Sequence, residues 1–217
     1  MWPITIRCSL SKWAGATGLE VAHRRLFASA RWARGRRCEA GPLFIGPHLF
    51  YNIVVKTLFL MRHAKSSHHD ATLVDHERPL NERGRNDAVR MGALLADKGL
   101  VPGRILSSDA VRARETAQAV AGAAGIEGPV LCISALYGGE ASDYLAALAA
   151  LPDRVESAII VGHNPAVEAL LEFLTGLVIP MPTSAVAQLR LPVDHWATVT
   201  GSGQASLVAT WSPKGAS

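Results

Sequence analysis

The 217-residue sequence is poor in cysteine, in charge and in long hydrophobic runs. Its three cysteines, Cys8, Cys38 and Cys132, are far apart and odd in number, which excludes a disulfide framework and any Cys-x-x-Cys zinc or redox site. The longest apolar stretch, residues 41–61, is interrupted by prolines and polar residues, so we expect no membrane-spanning helix and no membrane partner. Charged residues make up 18% and apolar residues 49%, which is typical of a folded domain rather than a disordered chain. We therefore expect a soluble, cytoplasmic globular protein.

Positive charge is concentrated in the first quarter of the chain. Residues 1–55 hold eight Lys and Arg but only two acidic residues, whereas residues 56–217 hold 14 and 16. We therefore divide the chain into a basic N-terminal extension, residues 1–52, and a folded domain, residues 53–213. The extension has the composition of a disordered or untranslated leader, of an organellar targeting segment, or of a surface-binding tail. Because the folded part carries no excess of basic residues, we expect no nucleic-acid partner.

Strand-like and helix-like segments alternate through the rest of the chain. Apolar, β-branched runs predict strands, and amphipathic or Ala/Leu-rich runs between them predict helices. Asn81, Asp109 and Asn164 are predicted to cap three of these helices. Such alternation predicts a three-layer α/β/α sandwich around a mostly parallel sheet of five to six strands. The predicted strands cover residues 54–61, 104–107, 129–133, 157–161, 185–191 and 205–211.

Basic side chains follow three of the predicted strands. Arg62 and His63 come directly after the first strand, Arg112 lies one helical turn beyond the second, and His163 follows the fourth. Ligands of open α/β sheets bind beyond the carboxyl ends of the strands, so these side chains are expected at one edge. Guanidinium groups bind tetrahedral dianions through paired hydrogen bonds, and an imidazole can attack phosphorus. The pattern predicts a phosphate-handling site, although each residue alone is also compatible with a surface ion pair or a capped turn.

Four sequence motifs contain these basic residues or lie between them. They are Leu-Met-Arg-His-Ala-Lys-Ser-Ser at 60–67, Arg-Pro-Leu-Asn-Glu-Arg-Gly at 78–84, Ser-Ser-Asp-Ala-Val-Arg-Ala-Arg-Glu-Thr-Ala at 107–117 and Val-Gly-His-Asn-Pro at 161–165. In this order along the chain the motifs resemble those of the histidine phosphatase superfamily (branch 1), which has the phosphoglycerate mutase-like fold. The form Arg-His-Ala-Lys, in place of Arg-His-Gly, is similar to the phosphohistidine phosphatase, SixA-like, family.

The resemblance implies a role for each matching residue. It implies that His63 is the nucleophile that becomes phosphohistidine, without a metal or another cofactor. Arg62 and Arg112 are implied to clamp the phosphoryl group, and His163 to donate a hydrogen bond to it. Ser66 and Arg78 are further candidates for substrate binding, although a loop-forming role for Ser66 and a surface ion pair for Arg78 account for them equally well.

The general acid is the least defined part of the predicted site. Gly138 stands where related phosphatases of alcohol phosphates place a carboxylate, and Glu140, two residues later, is either the acid or the start of a helix. Without an acid, the site favours phosphohistidine, because imidazole, with a pKa near 6.5, leaves more easily than an alkoxide. We therefore expect a phosphatase of phosphohistidine on a signalling protein. The alternatives are a phosphatase of small phosphomonoesters and a catalytically weak phosphoprotein-binding module.

A loop rich in histidine and aspartate follows the first motif. Its spacing fits no helical His-x-x-x-His pattern, so we interpret it as a solvated loop rather than a metal site. Trp196 is interpreted as a packing residue that could also edge the pocket. The histidines and aspartates of the loop after the first motif are His68, His69, Asp70, Asp75 and His76.

Overall fold

The computed structural model describes residues 55–67, 69 and 72–214. The predicted extension, residues 1–52, lies outside the described residues. The described part contains six strands, β1 (Lys56–Arg62), β2 (Arg104–Ser108), β3 (Leu131–Ile133), β4 (Ser157–Gly162), β5 (Val186–Leu191) and β6 (Ser206–Trp211). It also contains four α-helices, α1 (Glu82–Asp97), α2 (Val111–Ala124), α3 (Ala141–Ala149) and α4 (Ala166–Thr175).

The six strands form one sheet in the order β3-β2-β4-β1-β5-β6. β1, β2, β3 and β4 pair in parallel, whereas β5 pairs antiparallel with both β1 and β6. The sheet is therefore mostly parallel, with β5 alone running against the other strands. The carboxyl ends of β1, β2 and β4 accordingly lie at one edge, as the sequence predicts.

Side-chain alternation along β1 supplies both faces of the sheet with core residues. Leu58 and Leu60 pack into the cluster that includes α3 and α4, whereas Phe59 and Met61 pack into the cluster that includes α1 and α2. All four are buried, which is the pattern of a central strand covered on both sides. The predicted α/β/α sandwich with five to six strands is confirmed.

One of the three predicted helix caps is confirmed and two are wrong. The Asn81 side chain accepts a hydrogen bond from the Gly84 amide at 2.8 Å and caps α1. Ala110, not Asp109, precedes α2, because the Asp109 carboxylate is engaged by His76 at 3.0 Å. Pro165 precedes α4, and the Asn164 side-chain amide instead donates to the Met181 carbonyl at 3.1 Å. At Asp109 a tertiary partner thus replaces the local cap, whereas Asn164 Oδ1, the atom that would cap α4, is buried without a described partner.

Two motif glycines are required by close contacts rather than by backbone freedom. A Cβ atom on Gly84 would lie 2.1 Å from the Lys65 carbonyl oxygen, and one on Gly162 would lie 2.2 Å from the Tyr144 hydroxyl. Neither separation is possible for a side chain. These glycines therefore let α1 and Tyr144 approach the loops that follow β1 and β4.

Trp196 and Lys56 close the edge of the sheet opposite the predicted site. Trp196 is fully buried and its indole N–H donates to the Val155 carbonyl at 2.7 Å, so its role is packing and not lining the pocket. The buried Lys56 ammonium donates to the carbonyls of Asp153 and Val155. Among the helices of the described part, none combines the length and apolarity needed to cross a bilayer.

Candidate active site

The carboxyl ends of β1 and β4 bring two histidines together. Arg62, the last residue of β1, is in register with Gly162, the last residue of β4. His63 and His163 follow directly, and their ring centroids lie 4.9 Å apart with the planes tilted by 53°. Two residues that are 100 positions apart in the sequence thus lie side by side because their strands are parallel neighbours.

The His63 imidazole is held by the backbone. Its amide donates to the Gly162 carbonyl at 2.9 Å, and its Nδ1 atom lies 2.7 Å from the Ala64 carbonyl oxygen. A carbonyl only accepts hydrogen bonds, so Nδ1 carries the proton and Nε2 carries the lone pair. This is the tautomer in which Nε2 can act as a nucleophile.

Both imidazoles are neutral at ordinary pH. Burial, followed by the Arg112 and Arg62 charges, lowers the pKa of His63 to about 4 against the opposing effect of the Ala64 hydrogen bond. Burial and the charges of His63 and Arg112 lower the pKa of His163 to about 3. The charges of Arg62 and Arg112 both act on the two rings and lower their pKa values.

The His163 ring has no hydrogen-bond partner in the described part of the chain. Its backbone amide donates to the Tyr144 hydroxyl at 3.1 Å, and that hydroxyl donates to the Leu136 carbonyl at 3.2 Å. Both ring nitrogens are buried without a hydrogen-bond partner among the described residues. Buried polar atoms without a hydrogen-bond partner are uncommon in folded proteins.

The segment after α4 supports Arg62. The Arg62 Nη1 atom donates to the Met181 carbonyl at 3.0 Å, and its Nε is buried without a described partner. The Ser184 amide donates to the carbonyls of Arg62 and His63 at 3.2 and 3.3 Å. Ser184 adopts a φ of 65°, a left-handed conformation that is unusual for a residue other than glycine. The segment that precedes β5 therefore holds the backbone of Arg62 and His63 in place.

Arg112 is paired with a carboxylate that the sequence interpretation did not place in the site. The guanidinium Nη2 lies 2.9 Å from Asp75 Oδ2, and Nη1 donates to the Asp75 carbonyl. The Tyr137 hydroxyl donates to the same carboxylate at 3.1 Å. The Arg112 guanidinium also lies over the Tyr137 ring, whose centroid is 5.6 Å from that of His163. Asp75 and Tyr137 thus connect Arg112 to the histidine pair.

The ion pairs keep Asp75 ionised. Partial desolvation raises the pKa of Asp75, but the Arg112 charge, the hydrogen bonds from Tyr137 and Arg112 and the Arg78 charge together hold it below its usual value. Partial desolvation and the Asp75 carboxylate raise the pKa of Tyr137, so this phenol keeps its proton. The hydrogen bond between them therefore runs from phenol to carboxylate.

Comparison with known proteins identifies the family. Residues 58–132 match the histidine phosphatase superfamily (branch 1). An uncharacterized protein of Mycobacterium tuberculosis is 33% identical over 165 residues, which cover 71% of this chain and 100% of that protein. The chain belongs to the histidine phosphatase superfamily.

Solved structures place this histidine phosphatase among the SixA-like phosphatases. A structure from Agrobacterium tumefaciens, named for the phosphohistidine phosphatase SixA, is 33% identical and has a TM-score of 0.61, with 73% of this chain and 98% of that chain covered. The protein histidine phosphatase SixA in complex with tungstate is 25% identical and has a TM-score of 0.63, with 73% and 97% covered. The chain is therefore a phosphatase with the phosphoglycerate mutase-like fold.

The remaining predicted site residues of this histidine phosphatase lie around the core of the site. The buried Ser66 hydroxyl accepts from Arg78 Nη2 at 3.0 Å, while Arg78 also donates to the Ser67 carbonyl at 3.1 Å and to Asp75 at 2.7 Å. Arg78 thus braces the loop after β1 and forms an ion pair there. Substrate binding by Ser66 and Arg78 remains a prediction.

Glu140 stands apart from these contacts. It is exposed at the start of α3, and its amide donates to the Asp143 carboxylate at 2.8 Å. Within the described residues it forms no hydrogen bond or ion pair with the two arginines or the two histidines. Its structural role as the residue before a helix is visible, whereas its role as general acid remains a prediction.

Asp75 and Tyr137 are the site residues that sequence reasoning missed. The sequence analysis interprets Asp75 as part of a solvated loop. In the structure it begins a short 3-10 turn (Asp75–Glu77), three residues before Arg78, and this turn contacts Arg112. Its neighbour His76 pairs with Asp109. Among the described residues, no group of three His, Cys, Asp or Glu side chains is arranged to hold a metal ion.

Proposed function

We propose that this phosphatase hydrolyses phosphohistidine on a signalling protein through a covalent phosphohistidine at His63. The observation that carries the proposal is the His63 ring, whose Nδ1 is bonded to the Ala64 carbonyl, which leaves Nε2 unprotonated, and which lies beside the ring of His163. SixA-like structural neighbours support the substrate class. The roles of Arg62, Arg112 and His163 below belong to the same proposal.

In the first step, His63 Nε2 attacks the phosphorus atom and the bond from phosphorus to the leaving nitrogen breaks. The Nδ1 proton stays on His63, so the phosphorylated ring is cationic and its charge is stabilised by the Ala64 carbonyl. The leaving imidazole departs neutral when its other ring nitrogen already carries a proton. Arg62, Arg112 and a ring nitrogen of His163 stabilise the charge on the equatorial phosphoryl oxygens.

In the second step, water attacks the phosphorus atom of the intermediate. The electron pair of the bond between Nε2 and phosphorus returns to Nε2, which restores the neutral ring, and one proton of the water passes to solvent. Because Nδ1 remains protonated throughout, His63 is a good leaving group in this step without further rearrangement. Inorganic phosphate then dissociates from the arginines.

Acid-labile labelling tests the covalent intermediate. We expect that ³²P-labelled phosphohistidine protein transfers label to the enzyme, that the label is lost in acid and kept in alkali, and that His63→Ala abolishes both labelling and turnover. His69→Ala, an exposed histidine of the same loop, is the matched control and should be labelled normally. Turnover by His63→Ala at the wild-type rate would contradict the mechanism, and binding of phosphoprotein without turnover or label would favour a binding module.

Small phosphomonoesters are the second candidate substrates. The specific observation in their favour is the Asp75 carboxylate beside Arg112, because an alkoxide leaving group needs a proton that imidazole does not. Comparing kcat/KM for a phosphohistidine protein with that for a sugar phosphate, with and without chelator, separates the two substrate classes. A phosphohistidine preference that chelator does not change is expected.

A further inference from the structure

Asp75 occupies a position from which a carboxylate can reach a bound substrate. Its side chain is 53% exposed, yet it contacts Arg112, which is buried. Its charge raises the pKa of both His63 and His163, against the larger effects of burial and the arginines. Asp75 is thus a solvent-exposed carboxylate that is bonded to the buried Arg112 and whose charge acts on both histidine rings.

We infer that Asp75 is the catalytic proton-transfer residue of this site and that its presence extends the substrates to phosphate esters. The inference rests on the proposed function, since it assigns a proton donor to the reaction at His63. In the first step the Asp75 carboxyl donates its proton to the ester oxygen as the bond between phosphorus and oxygen breaks, which releases an alcohol. In the second step the resulting carboxylate accepts a proton from the attacking water.

Exchange of partners at Arg112 provides the protonated carboxyl. In the structure the positive charge of Arg112 stabilises the Asp75 carboxylate, so Asp75 is ionised. A bound phosphoryl group competes for the same guanidinium and places negative charge beside Asp75, and both effects favour the protonated carboxyl. A substrate that binds as its monoanion brings the required proton with it. In the second step the water gives one proton to Asp75. When Arg112 pairs with the carboxylate again, this proton passes to the departing phosphate, so the enzyme returns to its starting state and protons balance over the cycle.

Tyr137 orients the Asp75 carboxylate. Its hydroxyl donates to Oδ2, the oxygen that also accepts from Arg112 Nη2, while Oδ1 accepts from Arg78. When Arg112 turns to the phosphoryl group, the contacts with Tyr137 and Arg78 keep the carboxyl in place. Glu140, the acid that the sequence suggests, lacks any such contact among the described residues and is bonded through its backbone at the start of α3.

The test uses leaving groups of different acidity. Phenol has a pKa close to that of tyrosine, about 10, and needs a proton on departure, whereas 2,4-dinitrophenol leaves as a stable anion. We expect Asp75→Asn to lower kcat/KM for phenyl phosphate by about 100-fold or more and to change kcat/KM for 2,4-dinitrophenyl phosphate by less than about tenfold. kcat/KM is used because it reports the step in which the ester bond breaks.

Two further variants separate proton transfer from structural effects. Asp75→Glu keeps a carboxyl and should recover much of the activity on phenyl phosphate. Asp153→Asn is the matched control, because Asp153 is 60% exposed and also pairs with a basic side chain, His195, at 2.9 Å. Asp153→Asn should leave both substrates unchanged. Thermal unfolding of each variant checks that the fold is intact.

The possible outcomes distinguish this inference from the proposed function. Equal losses on both esters in Asp75→Asn, or no loss on phenyl phosphate, would overturn the role of Asp75 and leave the His63 mechanism standing. A wild-type enzyme that turns over phosphohistidine but neither ester would overturn it as well. Failure of the proposed function is detected separately, by the absence of acid-labile label on His63.

Discussion

The two histidines of the site differ from ordinary histidines in their proton affinity. Their low pKa values, about 4 for His63 and about 3 for His163, arise mainly from burial and from the nearby cationic groups. In the unfolded chain both would titrate near 6.5. The unfolded chain therefore binds more protons than the folded protein between about pH 4 and 6.5, and stability falls as the pH is lowered through this range.

NMR titration of the imidazole carbons tests this difference. We expect His63 and His163 to remain neutral down to pH 5. Adding inorganic phosphate should raise both pKa values, because a dianion between the rings stabilises the charged form. Assignment comes from His63→Ala and His163→Ala. Midpoints near 6.5 for either ring would contradict the burial and electrostatics of the site.

The sequence correctly predicts the positions of those residues that directly follow parallel strands. Arg62, His63 and His163 lie where they do because parallel strands end at a common edge, and that rule is visible in the pattern of apolar runs. Asp75 reaches Arg112 across a loop that obeys no such periodicity. Its contact depends on the course of the chain between β1 and α1, which the sequence does not specify through any repeated pattern.

At the level of elements, the segment between α4 and β5 determines the position of the first motif. Ser184 donates its amide to two consecutive carbonyls only because its backbone is left-handed. A β-branched residue is strongly disfavoured in this region, whereas glycine adopts it readily.

Substitutions of Ser184 test this positioning role. We expect Ser184→Gly to change the free energy of unfolding by less than about 1 kcal/mol and to retain kcat. Ser184→Val should destabilise the fold by about 1–3 kcal/mol and lower kcat/KM. Denaturant unfolding and steady-state kinetics on the same preparations provide the measurements. Equal stability of the Gly and Val variants would show that the backbone conformation is not required.

The helices show which local signals the sequence carries reliably. Asn81 caps α1 as predicted, since no tertiary group competes for its side chain more strongly than the Gly84 amide. Asp109 and Asn164 are equally good caps by composition, but His76 binds the Asp109 carboxylate, and α4 begins after Pro165 with the Asn164 Oδ1 atom unpartnered in the described part. Cap prediction therefore failed at Asp109 because of a tertiary partner, and at Asn164 because the backbone starts the helix one residue later.

At the level of the whole molecule, all the candidate site residues lie in the described part of the chain. β1 begins at Lys56, and every candidate site residue lies between Arg62 and Ser184. The SixA structures are covered almost completely by 73% of this chain. We therefore expect a fragment of residues 53–217 to unfold at the same temperature as the full chain and to have the same kcat/KM.

Thermal unfolding and kinetics of the fragment beside the full chain check this expectation. A fragment that loses activity while keeping its unfolding temperature would assign residues 1–52 to substrate recognition. A fragment that loses stability would place part of the folded core in that segment.

The Met181 carbonyl oxygen accepts one hydrogen bond from Arg62 and another from Asn164. One acceptor atom therefore links Arg62 to the loop that carries His163. Inserting or deleting a residue just ahead of Met181 would shift both motifs in concert, whereas length changes nearer Gly176 could be absorbed without disturbing either. Natural length variation in this connection should accordingly be confined to the half that follows α4.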